Sequence, residues 1–141
     1  MENYKDKAKK IFGKNIFCVI ATATAGGKPW ISPVYFNYDD KYNIYWESNR
    51  DAQHSKYVRA NKRVAIVIFD SHMKEGKGTQ TGVYVVANAH EVKAAGLPEA
   101  IKFFYGGRHT KVTKTKPKKP EEYMGSKPLR LYKQYLRKFL F

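Results

Sequence analysis

The sequence contains a single cysteine, Cys18, among its 141 residues. One cysteine cannot form a disulfide within the chain, and it cannot supply the several thiolates of a cysteine-based zinc site. No uninterrupted apolar run approaches the roughly 20 residues that a membrane helix needs, and residues 1–10 are charged where a secretory signal would be apolar. These absences predict a cytoplasmic protein with no membrane segment.

Acidic residues are also scarce. The chain has 27 Lys and Arg against 12 Asp and Glu, a formal net charge of +15. Residues 93–141 hold 13 basic and 3 acidic residues, which accounts for +10 of that total. Such a field concentrates anions at the surface, whether small phosphate-bearing molecules or nucleic acid. Charge alone does not choose between these two classes of partner.

Apolar residues make up 43% of the sequence, enough for the core of one domain, which we expect to span residues 1–141. Apolar and β-branched runs predict five strands, at 17–24, 30–38, 42–47, 63–69 and 79–92. Helical spacing of apolar residues predicts three helices, at 3–12, 51–61 and 97–105. This order of elements predicts a mainly β fold, with an antiparallel sheet that closes into a barrel and flanking helices.

Three further segments carry specific expectations. Pro33 has no amide donor, so its strand requires an edge or a bulge at that position. Residues 108–127 are basic and predict a flexible surface loop. The segment 129–141 fits either a helix or a strand, and its pattern does not decide between them.

The most informative segment runs from Trp46 to Lys56, where a predicted strand ends in polar side chains and a helix follows. Unpaired amides and the positive end of the dipole make a helix N-terminus a phosphate site. Ser48 and Asn49 can donate to phosphate oxygens, and Arg50 and Lys56 can supply positive charge. The alternative is ordinary helix capping by Ser48 or Asn49, with Asp51 completing a shortened capping box, and solvated charges.

The order of these segments resembles the pyridoxamine 5′-phosphate oxidase-like family of FMN-binding split barrels over residues 5–105. Four stretches of sequence carry the resemblance. They are Cys-Val-Ile-Ala-Thr-Ala-Thr with Gly-Gly-Lys-Pro and Trp-Ile-Ser-Pro-Val-Tyr-Phe; Ile-Tyr-Trp-Glu-Ser after Asp-Asp-Lys; His-Ser-Lys-Tyr-Val-Arg-Ala-Asn-Lys-Arg leading into Val-Ala-Ile-Val-Ile; and Gly-Val-Tyr-Val-Val-Ala-Asn-Ala-His-Glu-Val.

The resemblance implies a six-stranded antiparallel split barrel in which the tail supplies the last strand. It also implies a homodimer that binds FMN at the subunit interface, and an FMN-dependent oxidoreductase acting on a small substrate, which the basic surface favours as an anion. Because the flavin carries out the redox step, no catalytic side chain is expected, and none can be named.

The resemblance also implies the residues that contact the cofactor. The second strand would run beside the flavin ring through its backbone, the third strand would continue that wall toward the phosphate, and the helix would hold the phosphate. The implied cofactor-binding residues are Ile31, Ser32, Pro33, Val34, Trp46, Glu47, Ser48, Asn49, Ser55, Lys56 and Gln80.

Two features of the sequence depart from the pyridoxal-forming oxidases of this family. Their flavin-contacting glutamine corresponds in register to Gly82, and Gln80 lies two residues earlier on the same strand face. The Arg-x-His substrate segment of those oxidases is also missing. We therefore expect a substrate other than pyridoxamine 5′-phosphate.

Other functions remain open at this stage. A related barrel could use the deazaflavin (F420), or it could store flavin or haem without turnover. A single-stranded nucleic-acid binder, the disfavoured reading, would use the basic run 108–119 and stack bases on Trp30, Tyr35, Tyr42, Tyr45 and Trp46. The histidines are widely spaced, which predicts no metal site; they are His54, His72, His90 and His109.

Overall fold

A computed structural model of the chain describes the backbone of residues 3–70, 72, 76, 82–106 and 115–140, and the side chains as far as Tyr135. In chain order the elements are α1 (Tyr4–Lys14), β1 (Phe17–Ala23), β2 (Pro29–Tyr38), β3 (Ile44–Asn49), α2 (Gln53–Ala60), β4 (Arg63–Phe69), β5 (Gly82–Glu91), α3 (Leu97–Phe104) and β6 (Leu129–Leu140). Short 3-10 turns lie at Ala94–Gly96 and Pro120–Tyr123.

The six strands form a closed barrel in the order β1-β2-β3-β6-β5-β4, and every neighbouring pair is antiparallel. This confirms the predicted six-stranded antiparallel barrel with flanking helices. None of the helices in the described residues is long and apolar enough to cross a membrane.

The tail is a strand, which settles the choice that its sequence left open. β6 lies between β3 and β5, and Trp46 is opposite Tyr132 in its register with β3. Tyr132 points into the barrel and Leu131 points to the outside, yet both are fully buried. Because both faces of this strand are apolar and covered, it lacks the alternating pattern that identifies a half-exposed strand.

Two apolar clusters hold the fold together. The first fills the barrel with residues such as Ile20, Phe36 and Trp46, and Phe12 of α1 packs against it. The second lies outside the barrel, where α3 covers the outer face of β3 and β6. Tyr45 and Trp46 are 1% and 0% exposed, so neither can stack bases as the disfavoured nucleic-acid alternative would require.

The outer cluster also corrects the prediction of a flexible loop over residues 108–127. Residues 107–114 lie outside the described part of the chain, but Pro120–Tyr123 form a 3-10 turn. Tyr123 is 1% exposed and packs in the outer cluster beneath α3. The basic composition of this stretch concealed one aromatic ring that anchors it to the barrel.

The outer face of β1, β4, β5 and the first half of β2 has no covering helix in the described residues, whereas α3 packs on the second half of β2 through Tyr35 and Phe104. Strand register sets Val67 beside both Val19 and Tyr84, and Ala65 beside Val86. We call this surface the open apolar wall; its most exposed apolar side chains are Phe17, Ile31, Phe69, Tyr84 and Val86. Contiguous apolar patches on a sheet face mark surfaces that pair with another molecule.

Candidate functional site

A cleft begins where β2 and β3 separate. β2 pairs with β1 along Pro29–Tyr35, but the ladder between β2 and β3 covers only Phe36–Tyr38. Continuing that register would set Val34 opposite Ser48, yet the ladder stops before this pair. The free edge of β2 therefore faces the junction between β3 and α2, which brings the two predicted site segments to one place.

The hydrogen-bond alternation shows which backbone groups the free edge offers. Within the β1–β2 register, the Phe36 N–H donates to the Ile16 carbonyl at 3.1 Å and the Thr24 N–H donates to the Lys28 carbonyl at 3.0 Å. Even-numbered residues of β2 therefore bond to β1, and odd-numbered residues direct their backbone groups to the other edge. Ile31 offers an N–H and a carbonyl there, and Pro33 offers a carbonyl alone.

The side chains along this edge differ in exposure. Ile31 is 68% exposed, whereas Val34 is buried in the barrel. The Trp30 indole N–H donates to the Ser32 hydroxyl at 3.0 Å, which fixes the hydroxyl beside the free edge. Pro33 lies opposite Val19 in the half of β2 that has one neighbour, which confirms that it needs an edge position.

Hydrogen bonds fix the junction after β3. Ser48 Oγ lies 2.8 Å from His54 Nε2, and Ser55 Oγ donates to the Asn49 carbonyl at 2.8 Å. Asn49 Oδ1 accepts from the Asp51 N–H at 2.8 Å. The predicted polar residues thus hold one another in a compact turn.

That turn corrects the predicted start and capping of the helix. α2 begins at Gln53, and its N-cap is Ala52, which offers no side-chain hydrogen bond. Ser48 and Asn49 do not cap the helix, because the first is bonded to His54 and the second closes the turn onto Asp51. The first-turn amides of α2 therefore have no N-cap side chain competing with an anion.

The basic side chains of the junction have different partners. Arg50 donates to the Gly125 carbonyl at 2.9 Å, and Arg59 donates to the Arg50 carbonyl at 2.7 Å. Lys56, in the second turn of α2, is exposed, and no described carboxylate forms an ion pair with it. Lys56 is therefore the cation that remains available to a ligand at this helix end.

The side chains of Trp46 and Glu47 point away from the cleft. Trp46 is in the barrel interior, stacked on Tyr132 with ring centroids 5.6 Å apart. Glu47 lies on the outer side of β3, where its Oε2 accepts from Tyr123 at 2.5 Å and from Tyr105 at 3.3 Å, and pairs with Lys118 at 3.3 Å. Only the backbone of these two residues can line the cleft. Gln80 lies outside the described residues.

The Glu47 cluster is a feature that the sequence did not predict, because its members come from β3, the end of α3 and the segment near 120. Burial, followed by the hydrogen bond to Glu47, raises the pKa of Tyr123 well above its usual range. The phenol therefore remains protonated and donates to the carboxylate. The cluster ties the segment carrying Lys118 to the strand that ends at the cleft.

Replacing Tyr123 with phenylalanine is expected to destabilise the protein by about 1–2 kcal/mol. The Glu47 carboxylate loses the hydrogen bond that the Tyr123 hydroxyl donates, but it keeps its contacts with Tyr105 and Lys118. Urea unfolding followed by circular dichroism measures this change. The matched control is Tyr4→Phe, since Tyr4 is 67% exposed and is expected to shift the midpoint little. Equal midpoints for the two variants would contradict a structural role for the cluster.

His54 makes folding stability depend on pH. Burial lowers the pKa of His54 below its usual value, so the unfolded chain takes up this proton more readily than the folded one. The free energy of unfolding should therefore be unaffected by His54 above about pH 6.5 and fall as the pH drops below that value. In urea titrations between pH 5 and 7.5, the free energy of unfolding should change less steeply with pH for His54→Gln than for the parent protein. His90 accounts for part of the remaining pH dependence, because burial also lowers its pKa. An unchanged pH dependence in the variant would show that His54 does not contribute to it.

Comparisons with known proteins agree with this architecture. The family model described as pyridoxamine 5′-phosphate oxidase matches residues 4–133. Similar solved structures include a candidate pyridoxamine 5′-phosphate oxidase from Listeria innocua, with 15% identity over 98% of this chain and 97% of that one, at a TM-score of 0.69. An FAD-binding protein from Mesorhizobium loti has 19% identity over 94% of this chain and 89% of that one, at a TM-score of 0.68.

A haem-binding protein from Mycobacterium smegmatis has 15% identity over 97% of this chain, at a TM-score of 0.74, and this chain spans 52% of its length. At these identities the likeness establishes the fold. No curated protein matches the sequence.

Proposed function

Because the chain belongs to the pyridoxamine 5′-phosphate oxidase family, we propose that it binds FMN in the cleft between β2 and the β3–α2 junction. We propose further that it works as a flavin-dependent oxidoreductase on a small anionic substrate. Relatives of this fold include proteins described as binding flavin or haem. The observation that carries the proposal is the separation of β2 from β3 beside a helix end that no side chain caps.

The residues of the junction suit a phosphate group. The first-turn amides of α2 and the positive end of its dipole favour an anion, and Lys56 adds a full charge without a competing described carboxylate. The Ser48 hydroxyl, held by His54, can donate to a phosphate oxygen when the imidazole Nε2 carries the hydrogen of their shared bond. Ser55 holds the turn in place through its hydrogen bond to the Asn49 carbonyl, and it would act on the phosphate through that turn and not by direct contact.

The free edge of β2 suits the ring. Ile31 offers a donor and an acceptor, Pro33 offers an acceptor, and a flavin ring presents both kinds of group along its edge. Bound FMN would supply the redox chemistry, while the chain anchors the phosphate and shapes the wall beside the ring. The exposed Ile31 side chain would shield the bound ring from water.

We propose a second copy of this chain as the partner of the open apolar wall. The wall is a sheet face whose exposed apolar side chains come from four strands, whereas α3 covers the opposite outer face. Ile31 belongs to both the wall and the free edge of β2, so a copy bound to the wall would also close the cleft. This supports a homodimer with the cofactor at the subunit interface.

A titration of the purified protein, freed of any bound cofactor, tests the proposal. Saturable quenching of FMN fluorescence, with riboflavin binding much more weakly, is the expected result, since riboflavin lacks the phosphate. Haemin and the deazaflavin (F420) are the competing ligands, and saturation by either one without FMN binding would replace flavin in the assignment. Equal affinity for FMN and riboflavin would contradict the phosphate site at α2.

A further inference from the structure

A second pocket lies on the opposite side of β3 from the cleft, between the outer face of β5 and β6 and the start of α3. Its volume is about 490 Å³, within the usual range for small-ligand sites. No residue of the cleft lines it. The lining residues that bear on its chemistry are Tyr45, His90, Lys93, Glu99, Lys133 and Tyr135.

Three of these side chains form a row across the sheet. In the register of the barrel, Lys133 of β6 lies directly between Tyr45 of β3 and His90 of β5. Directly paired residues share one face of a sheet, so the row makes one continuous floor. Tyr135, two residues beyond Lys133, shares this face and stacks on His90 with ring centroids 4.7 Å apart.

Lys133 is the central cation of this floor. Its ammonium lies 4.4 Å from the ring centroid of Tyr135 and 5.3 Å from that of Tyr45. Within the described residues, no carboxylate forms an ion pair with it. An ammonium held over aromatic faces keeps its three donors available to an anion.

The other charges of the pocket leave it positive. Lys93 adds a second cation at the start of the turn before α3, and Glu91 is occupied by Arg59 and Arg130, each at 3.8 Å. Burial, with the charges of Lys133 and Lys93, lowers the pKa of His90, so this imidazole is neutral near pH 7. With Glu91 neutralised by its arginines, the two lysines exceed the remaining carboxylate, Glu99, by one positive charge.

We propose that this pocket binds a small planar monoanion of the aromatic carboxylate class. The carboxylate pairs with Lys133 and Lys93, and the ring packs against the exposed edge of Tyr135, which is 43% exposed. Glu99 disfavours ligands of higher negative charge, such as a phosphate dianion. The site is separate from the proposed flavin cleft, so it stands even if the cofactor assignment fails.

Calorimetric titration of the full chain with benzoate tests this proposal, with benzamide as the neutral match and inorganic phosphate as the non-planar anion. Benzoate is expected to saturate a single site and to bind about tenfold or more tightly than either competitor. The His90 imidazole signals in NMR should titrate at higher pH in the benzoate-saturated protein, because the bound anion offsets the two lysines. Benzamide or phosphate binding as tightly as benzoate would overturn the assignment.

Variants locate the binding. Lys133→Met is expected to weaken benzoate binding about tenfold or more, and Lys93→Met provides a second, exposed position if the first variant folds poorly. The control is Lys102→Met, since the Lys102 ammonium also lies over an aromatic ring, that of Phe103 at 5.7 Å, and does not line the pocket. Unchanged affinity in both pocket variants would overturn the proposal.

Discussion

Replacing Ser48 and Lys56 together with alanine is expected to weaken FMN binding by at least about tenfold. The change removes one hydroxyl donor and an exposed cation near the N-terminal end of α2 that has no described carboxylate partner. Hydrogen bonds to a charged acceptor each contribute about 1.5–3 kcal/mol, so both losses should be visible in a fluorescence titration. Riboflavin affinity should change little, because the phosphate is absent.

The single variants and a matched control separate charge from folding. Lys62→Met removes an exposed lysine just beyond the end of α2 and is expected to leave FMN affinity close to that of the parent protein. Ser48→Ala also removes the partner of His54, so its thermal unfolding should be recorded alongside. FMN titrations that superimpose for the double variant and the parent would rule out a phosphate site at this junction.

Replacing Val86 with glutamate is expected to dissociate the proposed homodimer into monomers and to reduce FMN affinity strongly. Val86 lies on the open apolar wall, beside Ala65 in the register of β4 and β5. A carboxylate buried between two copies with no cation to pair with would weaken the association by several kcal/mol, enough to dissociate many dimers. Sedimentation equilibrium measures the mass, and flavin fluorescence measures the affinity in the same samples.

Met124→Glu is the matched control for this change. Met124 and Val86 are each 40% exposed, but Met124 follows the 3-10 turn under α3 and lies away from the wall. It should remain dimeric and retain flavin. A Val86→Glu monomer that binds FMN as well as the parent would show that the cofactor is held by one chain alone, and would remove the second copy from the proposed site.

The first five strands could be predicted from the sequence because each has a continuous apolar run bounded by turn residues. β4 was predicted at its observed bounds, and β1, β2 and β3 differ by one or two residues at their ends. β6 could not be assigned from its pattern, because Leu131 and Tyr132 are buried on opposite faces by α3 and by the barrel. Its strand conformation depends on β3 and β5 as neighbours, which a local pattern does not record.

The candidate site could be predicted as a segment but not as a set of contacts. Ser48, Asn49, Ser55 and Lys56 do gather at one junction, as expected from a strand that runs into a helix. Helix capping was assigned to the wrong residues, because the bond between Ser48 and His54 competes with it. The family resemblance implies that Glu47 is part of the cleft wall, but its side chain bonds to Tyr105 and Tyr123, which lie 58 and 76 positions further along the chain. No local pattern indicates contacts at that separation.

The proline in β2 has a consequence for how the protein behaves at high concentration. A free strand edge is a template on which another strand can add, and chains that add in series form fibrils. At Pro33 the row of outward-facing donors is interrupted, because this residue has a carbonyl and no N–H on that side. The gap between the strands can therefore stay open to a small molecule while resisting polymerisation through the same edge.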